Sequence, residues 1–519
     1  MTDAETFYVT TPIYYVNDVP HLGHAYTTIA CDVLARFMRL DGRKVMFLTG
    51  TDEHGQKVEK SAAAAGEDPQ AFTDKVSQQF RDLTTALGCS NDDFIRTTEP
   101  RHARASQAIW TALIEAGDIY LDSYTGWYSV RDEAYFAESE LTKGPDGELI
   151  APGGAPVEWV EEPSYFFRLS AWQDRLLAYY EKNPDAILPE SRRNEVLSFI
   201  RGGLQDLSVS RTSFQWGVPV PGDNAHIMYV WLDALTNYLT AVGYPDVDSD
   251  DYRTFWPADV HVVGKDIVRF HAVYWPAFLM AAGLAPPKRV FAHGWWTVEG
   301  QKMSKTLGNV VEPFKLIETY GLDQVRYFVL REVPFGNDGD FSRAALIQRI
   351  NSDLANDFGN LAQRVLSMVH KNCAAAVPRP GAYSDADTEL LDAAHCLIET
   401  VRPMIDRQAL SETLEAMWTV IRAANAYVDK QAPWALRKTD PERMATALYV
   451  LAEVIRHLAV LAQPFMPESA GRLLDQVGVA ADGRAFDHLG PRHALAPDTP
   501  LPKPEGVFPR LDADVGDAG

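Results

Sequence analysis

Two short segments concentrate groups that can meet phosphate. Residues 299–309 read E-G-Q-K-M-S-K-T-L-G-N, with Lys302 and Lys305 three apart, a hydroxyl on either side of the second lysine, and Gly300 and Gly308 near the ends. Residues 20–26 read P-H-L-G-H-A-Y, with His21 and His24 three apart around Gly23. A Lys-x-x-Lys is ordinarily a solvated surface feature. Here the glycines let backbone amides approach a ligand, and ammonium groups on long stems can meet charge as it develops. The loop is no Walker motif, since G-x-x-x-x-G-K-[ST] occurs nowhere in the chain, so a triphosphate needs a second site. In a helical first turn His21 and His24 would share a face beside free amides and the positive end of the dipole, which suits a phosphate. Gly23 would let a base or phosphate rest on the backbone. As a metal site the pair lacks a clear third ligand.

The elements around these segments indicate how they are positioned. Residues 7–15 form a dense aromatic and β-branched run, a buried strand, and 25–40 carry helical spacing of Ile29, Val33, Phe37 and Leu40. Residues 45–49 predict a second strand, 69–87 a helix, 260–263 a third strand followed by a helix over 267–282, and 290–292 a fourth strand. The alternation predicts an α/β fold: a doubly wound, Rossmann-like parallel sheet with an inserted connective domain, followed by an all-α bundle. Polar residues end each strand (Thr10 and Thr11, 49–54, Lys265 and Asp266, His293), so they should converge on the crevice at the carboxyl edge.

The expected domains are a first catalytic half over 1–116, a turn-rich insertion over 117–225, a second half over 226–290 and a lysine-loop region over 291–345. A helical domain over 346–490 follows, with helices at 347–369, 385–405, 410–430 and 441–461, then a proline-rich return segment and acidic tail over 491–519.

The 519 residues are too many for one core, and 46% hydrophobic content can fill several. Apolar runs are too short for a membrane span and residues 1–6 do not read as a signal peptide, so a cytoplasmic protein without membrane contact is expected. Four scattered cysteines without a C-x-x-C suit reduced thiols. The formal charge of -23 opposes non-specific binding to DNA or anionic lipid, while leaving room for a local RNA site built from a few arginines and aromatics.

Taken together and in this order, P-H-L-G-H and K-M-S-K-T resemble the paired HIGH and KMSKS signatures of class I aminoacyl-tRNA synthetases. Within that class T-P-I-Y-Y-V-N, F-L-T-G-T-D-E-H-G, Y-V-W-L-D-A-L-T-N-Y, G-K-D-I-V-R-F-H and A-P-W resemble the methionyl-tRNA synthetase family over nearly the whole chain. The resemblance implies ATP with Mg2+, methionine and tRNA(Met), initiator tRNA included, as substrates of a monomer. Adenylation would be followed by acyl transfer to the terminal ribose. It implies His21, His24, Lys302 and Lys305 as catalytic groups, and Gly23, Gly264, Asp266, His293 and Lys305 at the nucleotide. Ile13, Tyr15, Asp52, Trp231, Ala234, Leu235, Tyr238, Ile267 and His271 would hold methionine, a thioether well matched to aromatic and aliphatic walls, and Asp52 would pair with its ammonium. Asn360, Arg364 and Trp434 would read the anticodon, the tryptophan as a stacking platform.

Two departures stand out: Thr306 replaces the usual serine, and Ser129, Asp132, Ala151 and Gly154 stand where relatives carry zinc-binding cysteines, so no zinc is expected. A synthetase for valine, isoleucine or leucine would need a larger insertion, and a small-molecule adenylyltransferase would not need the helical domain.

Overall fold

The computed structural model describes residues 5–16, 19–132, 134–144, 147–298, 300–303 and 309–512. Its centre is a seven-stranded parallel sheet: β1 (Thr6–Thr10), β2 (Tyr14–Tyr15), β3 (Lys44–Asp52), β4 (Asp93–Arg96), β5 (Ile187–Leu188), β6 (Val260–Gly264) and β7 (Val290–His293). The spatial order is β5-β7-β6-β1-β3. Thr51 of β3 pairs with Tyr14 and also with Arg96, so β2 and β4 flank opposite edges of β3. From β1 the chain winds outward to β3, and from β6 it winds the other way to β7. The carboxyl ends of β1 and β6 therefore bound the switch-point crevice where such sheets bind ligands.

The expected strand over 7–15 breaks after Thr10. Pro12 has no N–H to give a ladder, and pairing resumes only where Tyr14 and Tyr15 meet Thr51 and Asp52. The helix α1 (Leu22–Leu40) starts three residues before the apolar periodicity does, because His21 caps it. Ile29, Val33 and Phe37 are fully or nearly fully buried against the sheet, as their spacing requires. A helix over Gln56–Ala65 precedes the expected one at Pro69–Ala86; its single short apolar stripe, Val58 and Ala62, was too weak to read.

The stretch 117–225 contains an antiparallel sheet of Ile119–Ser129, Ala134–Phe136, Glu158–Phe167 and Leu207–Ser208, then helices Gln173–Lys182 and Glu190–Arg201. Between those helices lies β5, whose Ile187 and Leu188 pair with Val290 and Phe291. The insertion thus gives one strand back to the main sheet, and β7 runs across the expected 290/291 boundary.

The helical region packs Asn360–Asn372, Asp385–His395, Leu397–Asp406, Leu410–Gln431 and Pro441–Ala462 together, the expected helix over 385–405 dividing at Cys396. Pro441–Ala462 is the one described helix long and apolar enough to cross a membrane, and 94% of its apolar window is buried as the centre of this bundle. Arg326 ties the bundle to the sheet. Its guanidinium, wholly buried, donates to Asp32 Oδ2 (2.7 Å) in α1, to the Leu87 carbonyl (3.0 Å) and to the Phe465 carbonyl (2.9 Å). Removing one partner of such a pair strands the other, at a cost of about 3–5 kcal/mol.

Candidate active site

The cap of α1 is made by imidazoles. The Gly23 amide donates to His21 Nδ1 at 3.0 Å, and the His21 amide donates to His24 Nδ1 at 3.1 Å. Each Nδ1 is therefore an acceptor, which in the neutral ring leaves the proton on Nε2. Burial, and then the neighbouring His21, hold the His24 pKa well below the usual histidine value, so that ring is neutral at pH 7. Tyr14 and Phe80 meet it edge-on at 4.9 and 5.1 Å, and the two histidine rings lie 3.9 Å apart.

One expectation fails here. The first-turn amides are not open to a phosphate: Gly23 N is held by His21, and Leu22 N donates to the Val311 carbonyl at 3.0 Å. Gly23 is required by the cap itself, since a Cβ there would lie 2.8 Å from His21 Cε1. The groups suited to an anion are the two imidazole Nε2–H donors.

A cleft of about 1900 Å³ opens at the carboxyl edge of the sheet, and His21, Gly23 and His24 line it together with all nine residues expected around the amino acid. Trp231 stacks on Phe270 at 3.8 Å with planes 5° apart, and meets His271 edge-on at 6.2 Å. Tyr238 donates from its hydroxyl to His271 Nε2 (2.8 Å), while His271 Nδ1 donates to the Ile267 carbonyl (3.0 Å). With burial lowering its pKa to about 4, His271 is a neutral wall of fixed tautomer. Beneath it Tyr238 stacks on His261 at 4.0 Å, and His261 Nδ1 lies 2.8 Å from Thr10 Oγ1 at the end of β1. Asp52, buried at the end of β3, supplies a carboxylate to this otherwise apolar pocket.

The opposite bank carries Gly264, Asp266 and His293. His293 Nδ1 donates to the Gly294 carbonyl at 2.7 Å, leaving Nε2 to accept from Thr27 Oγ1 at 2.7 Å, and burial lowers its pKa. Asp266 accepts from Trp295 Nε1 at 3.0 Å, Lys265 pairs with Asp338 at 2.6 Å, and the Lys265 ammonium lies 4.3 Å from the Trp295 ring centroid. Gly294 is forced by packing: a Cβ would sit 2.3 Å from the Asn337 carbonyl group. Lys265 lines the cleft, as its place at a strand end predicts, whereas Thr27, Trp295, Phe270 and Asp338 carry no local signal because their partners lie up to hundreds of residues away.

Of the lysine loop, the backbone of Gln301–Lys302 is described, pairing with Trp296–Val298, and Met303 lines the cleft. The Lys302 side chain, Lys305, Thr306 and Gly308 lie outside the described residues.

Two further groups lie apart. On the helix Asn360–Asn372, Asn360 is exposed, and the Arg364 guanidinium lies 5.6 Å from the ring centroid of Trp434 while pairing with Asp429 at 2.8 Å. Trp434 is 52% exposed, and Ala432, at φ +44°, turns the chain sharply into the helix that carries it. In the insertion, Ser129 Oγ meets Asp132 at 3.2 Å, and Arg131 pairs with Asp132 at 3.0 Å and donates to the Gly153 carbonyl. This donor set, a guanidinium between a carboxylate and a carbonyl, lacks thiolates and already carries a cation, so it does not fit zinc.

The chain matches the family model for tRNA synthetases class I (M) over residues 7–148 and 148–366, and that for the anticodon binding domain of methionyl tRNA ligase over 377–517. It is 61% identical to a methionine–tRNA ligase of Mesorhizobium japonicum, with 99% of each chain covered, and 56% identical to one of Rickettsia bellii, with 98% of this chain and 99% of that one covered. Among solved structures it resembles Mycobacterium tuberculosis methionyl-tRNA synthetase in complex with methionyl-adenylate, with a TM-score of 0.96 and 56% identity, covering 98% of this chain and 100% of that one. Against the apo form of that enzyme the TM-score is 0.89 at 53% identity, covering 98% and 99%.

Proposed function

The chain belongs to the class I tRNA synthetases of the methionine type, and we propose that it joins methionine to tRNA(Met), initiator tRNA included, in two steps. The methionine carboxylate attacks the α-phosphorus of ATP in line with departing pyrophosphate. The terminal ribose hydroxyl of tRNA then attacks the carbonyl of the adenylate and releases AMP.

The observation that carries this reading is that the imidazole pair, the apolar pocket with its one buried carboxylate, and the His293 bank all face a single cleft. Asp52 would anchor the ammonium of methionine, leaving the carboxylate directed at the histidines. Trp231, Leu235, Tyr238 and Ile267 would enclose the thioether, which an aromatic wall contacts favourably. Neutral His21 and His24 would donate Nε2–H to phosphate oxygens as charge moves onto them, without the cost of removing a buried cation from solvent. Phosphoryl transfer of this kind depends on positioning and charge neutralisation, and the chain needs no covalent intermediate.

Lys302 and Lys305 would meet the β- and γ-phosphates. Gly264, Asp266 and His293 would contact the adenosine. Mg2+ would arrive with the nucleotide and neutralise phosphate charge; zinc has no part in the reading. Asn360 and Arg364 would read base edges of the anticodon, with Trp434 stacking on a splayed base. The proposed setting is a cytoplasmic monomer without DNA or membrane partners.

Methionine-dependent exchange of pyrophosphate into ATP, with valine, isoleucine, leucine and cysteine as controls, tests the reading. Exchange with methionine alone is expected; equal exchange with another of these amino acids would overturn the specificity.

A further inference from the structure

Behind the amino-acid pocket lies a polar cluster that the reaction itself does not use. Asp233, fully buried, receives His54 Nδ1 on Oδ2 and His102 Nε2 on Oδ1, both at 2.6 Å. His102 is itself fully buried, with Thr240 Oγ1 at 3.1 Å from its Nδ1, and His54 is 8% exposed. Burial would raise the Asp233 pKa, but the two imidazoles overcome this and hold the carboxylate ionised.

His54 and Asp233 join two parts of the chain that line the pocket, and His102 ties in a third that does not. His54 follows Asp52, at the end of β3, by two positions, and its carbonyl accepts the Tyr15 hydroxyl at 2.9 Å. Asp233 sits in the helix Val230–Leu235, between Trp231 and the Ala234–Leu235 pair. His102 lies in the helix Pro100–Glu115 beneath both. Asp233 does not face the cleft, whereas residues on both sides of it do. The segment that carries Asp52 and the helix that carries Trp231 are thus joined by the His54–Asp233 hydrogen bond, and His102 anchors the same carboxylate from outside the cleft.

We propose that Asp233, clasped between His54 and His102, is a positioning residue that fixes the width of the amino-acid pocket and so selects the side chain it admits. The inference rests on the methionine-activating reading. Without the His54 donor, one buried carboxylate oxygen loses its partner, and the helix bearing Trp231 is expected to shift until water or another donor reaches it. A wider pocket should bind methionine more weakly and reject a bulkier thioether less well.

The test compares His54→Leu, which deletes the donor, with His54→Asn, whose amide nitrogen stands near the place of Nδ1. Pyrophosphate exchange is measured with methionine and with its S-ethyl analogue ethionine. In His54→Leu the KM for methionine should rise about tenfold and the preference for methionine over ethionine should fall about tenfold. The KM for ATP and kcat should stay within about twofold. His54→Asn should restore both values. A purely structural role would lower kcat and thermal stability together and leave the methionine-to-ethionine ratio unchanged, which would overturn the proposal. So would equal loss in the Asn variant. If His54→Leu does not fold, His54→Gln, whose longer amide overshoots the carboxylate, replaces it against His54→Asn with the same expected order. Failure of wild-type protein to exchange with methionine would instead overturn the activity itself.

Discussion

His21 and His24 form a reciprocal cap: the amide of Gly23 closes on His21 Nδ1, the amide of His21 closes on His24 Nδ1, and the two rings tilt 31° apart at 3.9 Å. The same hydrogen bonds that start the helix therefore decide which nitrogen of each ring carries the proton. In the proposed reading helix capping and phosphate recognition would become one feature, since the helix start places both rings at the cleft.

From this it follows that His24→Gln, which keeps a donor near the position of Nε2, should retain more activity than His24→Ala. The Ala variant should lose about a hundredfold in the rate of pyrophosphate exchange, the order expected for one transition-state donor. Rates that fall equally in both variants, with methionine KM raised in parallel, would place the role of His24 in the cap alone.

Buried histidines also set the acid limit of stability. His24, His261, His271, His293 and His457 are held below the usual histidine pKa chiefly by burial, His271 and His457 at about 4. Each stays neutral in the fold yet protonates readily once unfolded, so the unfolded chain binds more protons below about pH 6.5. Their contribution is fully present above pH 6.5 and is lost as pH falls, at up to about 1.4 kcal/mol per unit for each ring until its folded pKa is reached. Paired carboxylates with lowered pKa, such as Asp387 at about 2, weaken only at lower pH, and Asp323 and Asp357, which burial raises, act in the opposite sense, so a loss of stability between pH 6.5 and 5 is assigned to the histidines. Calorimetry should find the melting temperature falling from pH 7.5 to 5.5; a flat profile would contradict this.

Lys305 is assigned through the resemblance of its loop. Lys305→Ala should lower the adenylation rate by about two orders of magnitude, or ~3 kcal/mol, with methionine binding nearly intact. An unchanged exchange rate would remove it from the mechanism.

In the insertion, Arg131 joins the segment of Ser129 and Asp132 to the Gly153 carbonyl. Purified protein should contain no stoichiometric zinc by elemental analysis, and chelation should leave folding and, with Mg2+ restored, adenylation unchanged. One zinc per chain would refute this.

How much was legible beforehand varied with the range of the forces involved. The sheet could be read because β1, β3, β6 and β7 are buried runs with polar ends, and α1 because its apolar spacing is regular. Pro12 marks the break in the first strand, but the aromatic run continues beyond it and masks that signal. β5 was not readable, as two residues carry no periodicity and take their form from pairing with Val290 and Phe291. His21 and His24 declared themselves by spacing, but their tautomers depend on local geometry that spacing does not encode. The His54–Asp233–His102 cluster spans 179 and 131 residues, and no local pattern announces it.

The other end of the molecule gives the last expectation. Trp434 is 52% exposed, so its side chain contributes little to the bundle core, and replacing it should not unfold the protein. Its ring is flanked by the Arg364 guanidinium at 5.6 Å, with Asn360 one helical turn before that arginine. A flat, wet aromatic beside a planar cation suits a splayed base, which would stack on the ring while the polar neighbours meet its edge. Trp434→Ala should remove a stacking contact of roughly 1–3 kcal/mol. Methionylation of tRNA should then fall about ten- to a hundredfold, while methionine-dependent pyrophosphate exchange stays within about twofold, because the residues named for that step, the two loop lysines apart, line the sheet cleft. Arg364→Ala should act in the same direction, and its effect should be smaller in the Trp434→Ala background if the two share one base. Parallel loss of both activities would mean that Trp434 supports the fold; loss of neither would place anticodon reading elsewhere on the helical surface.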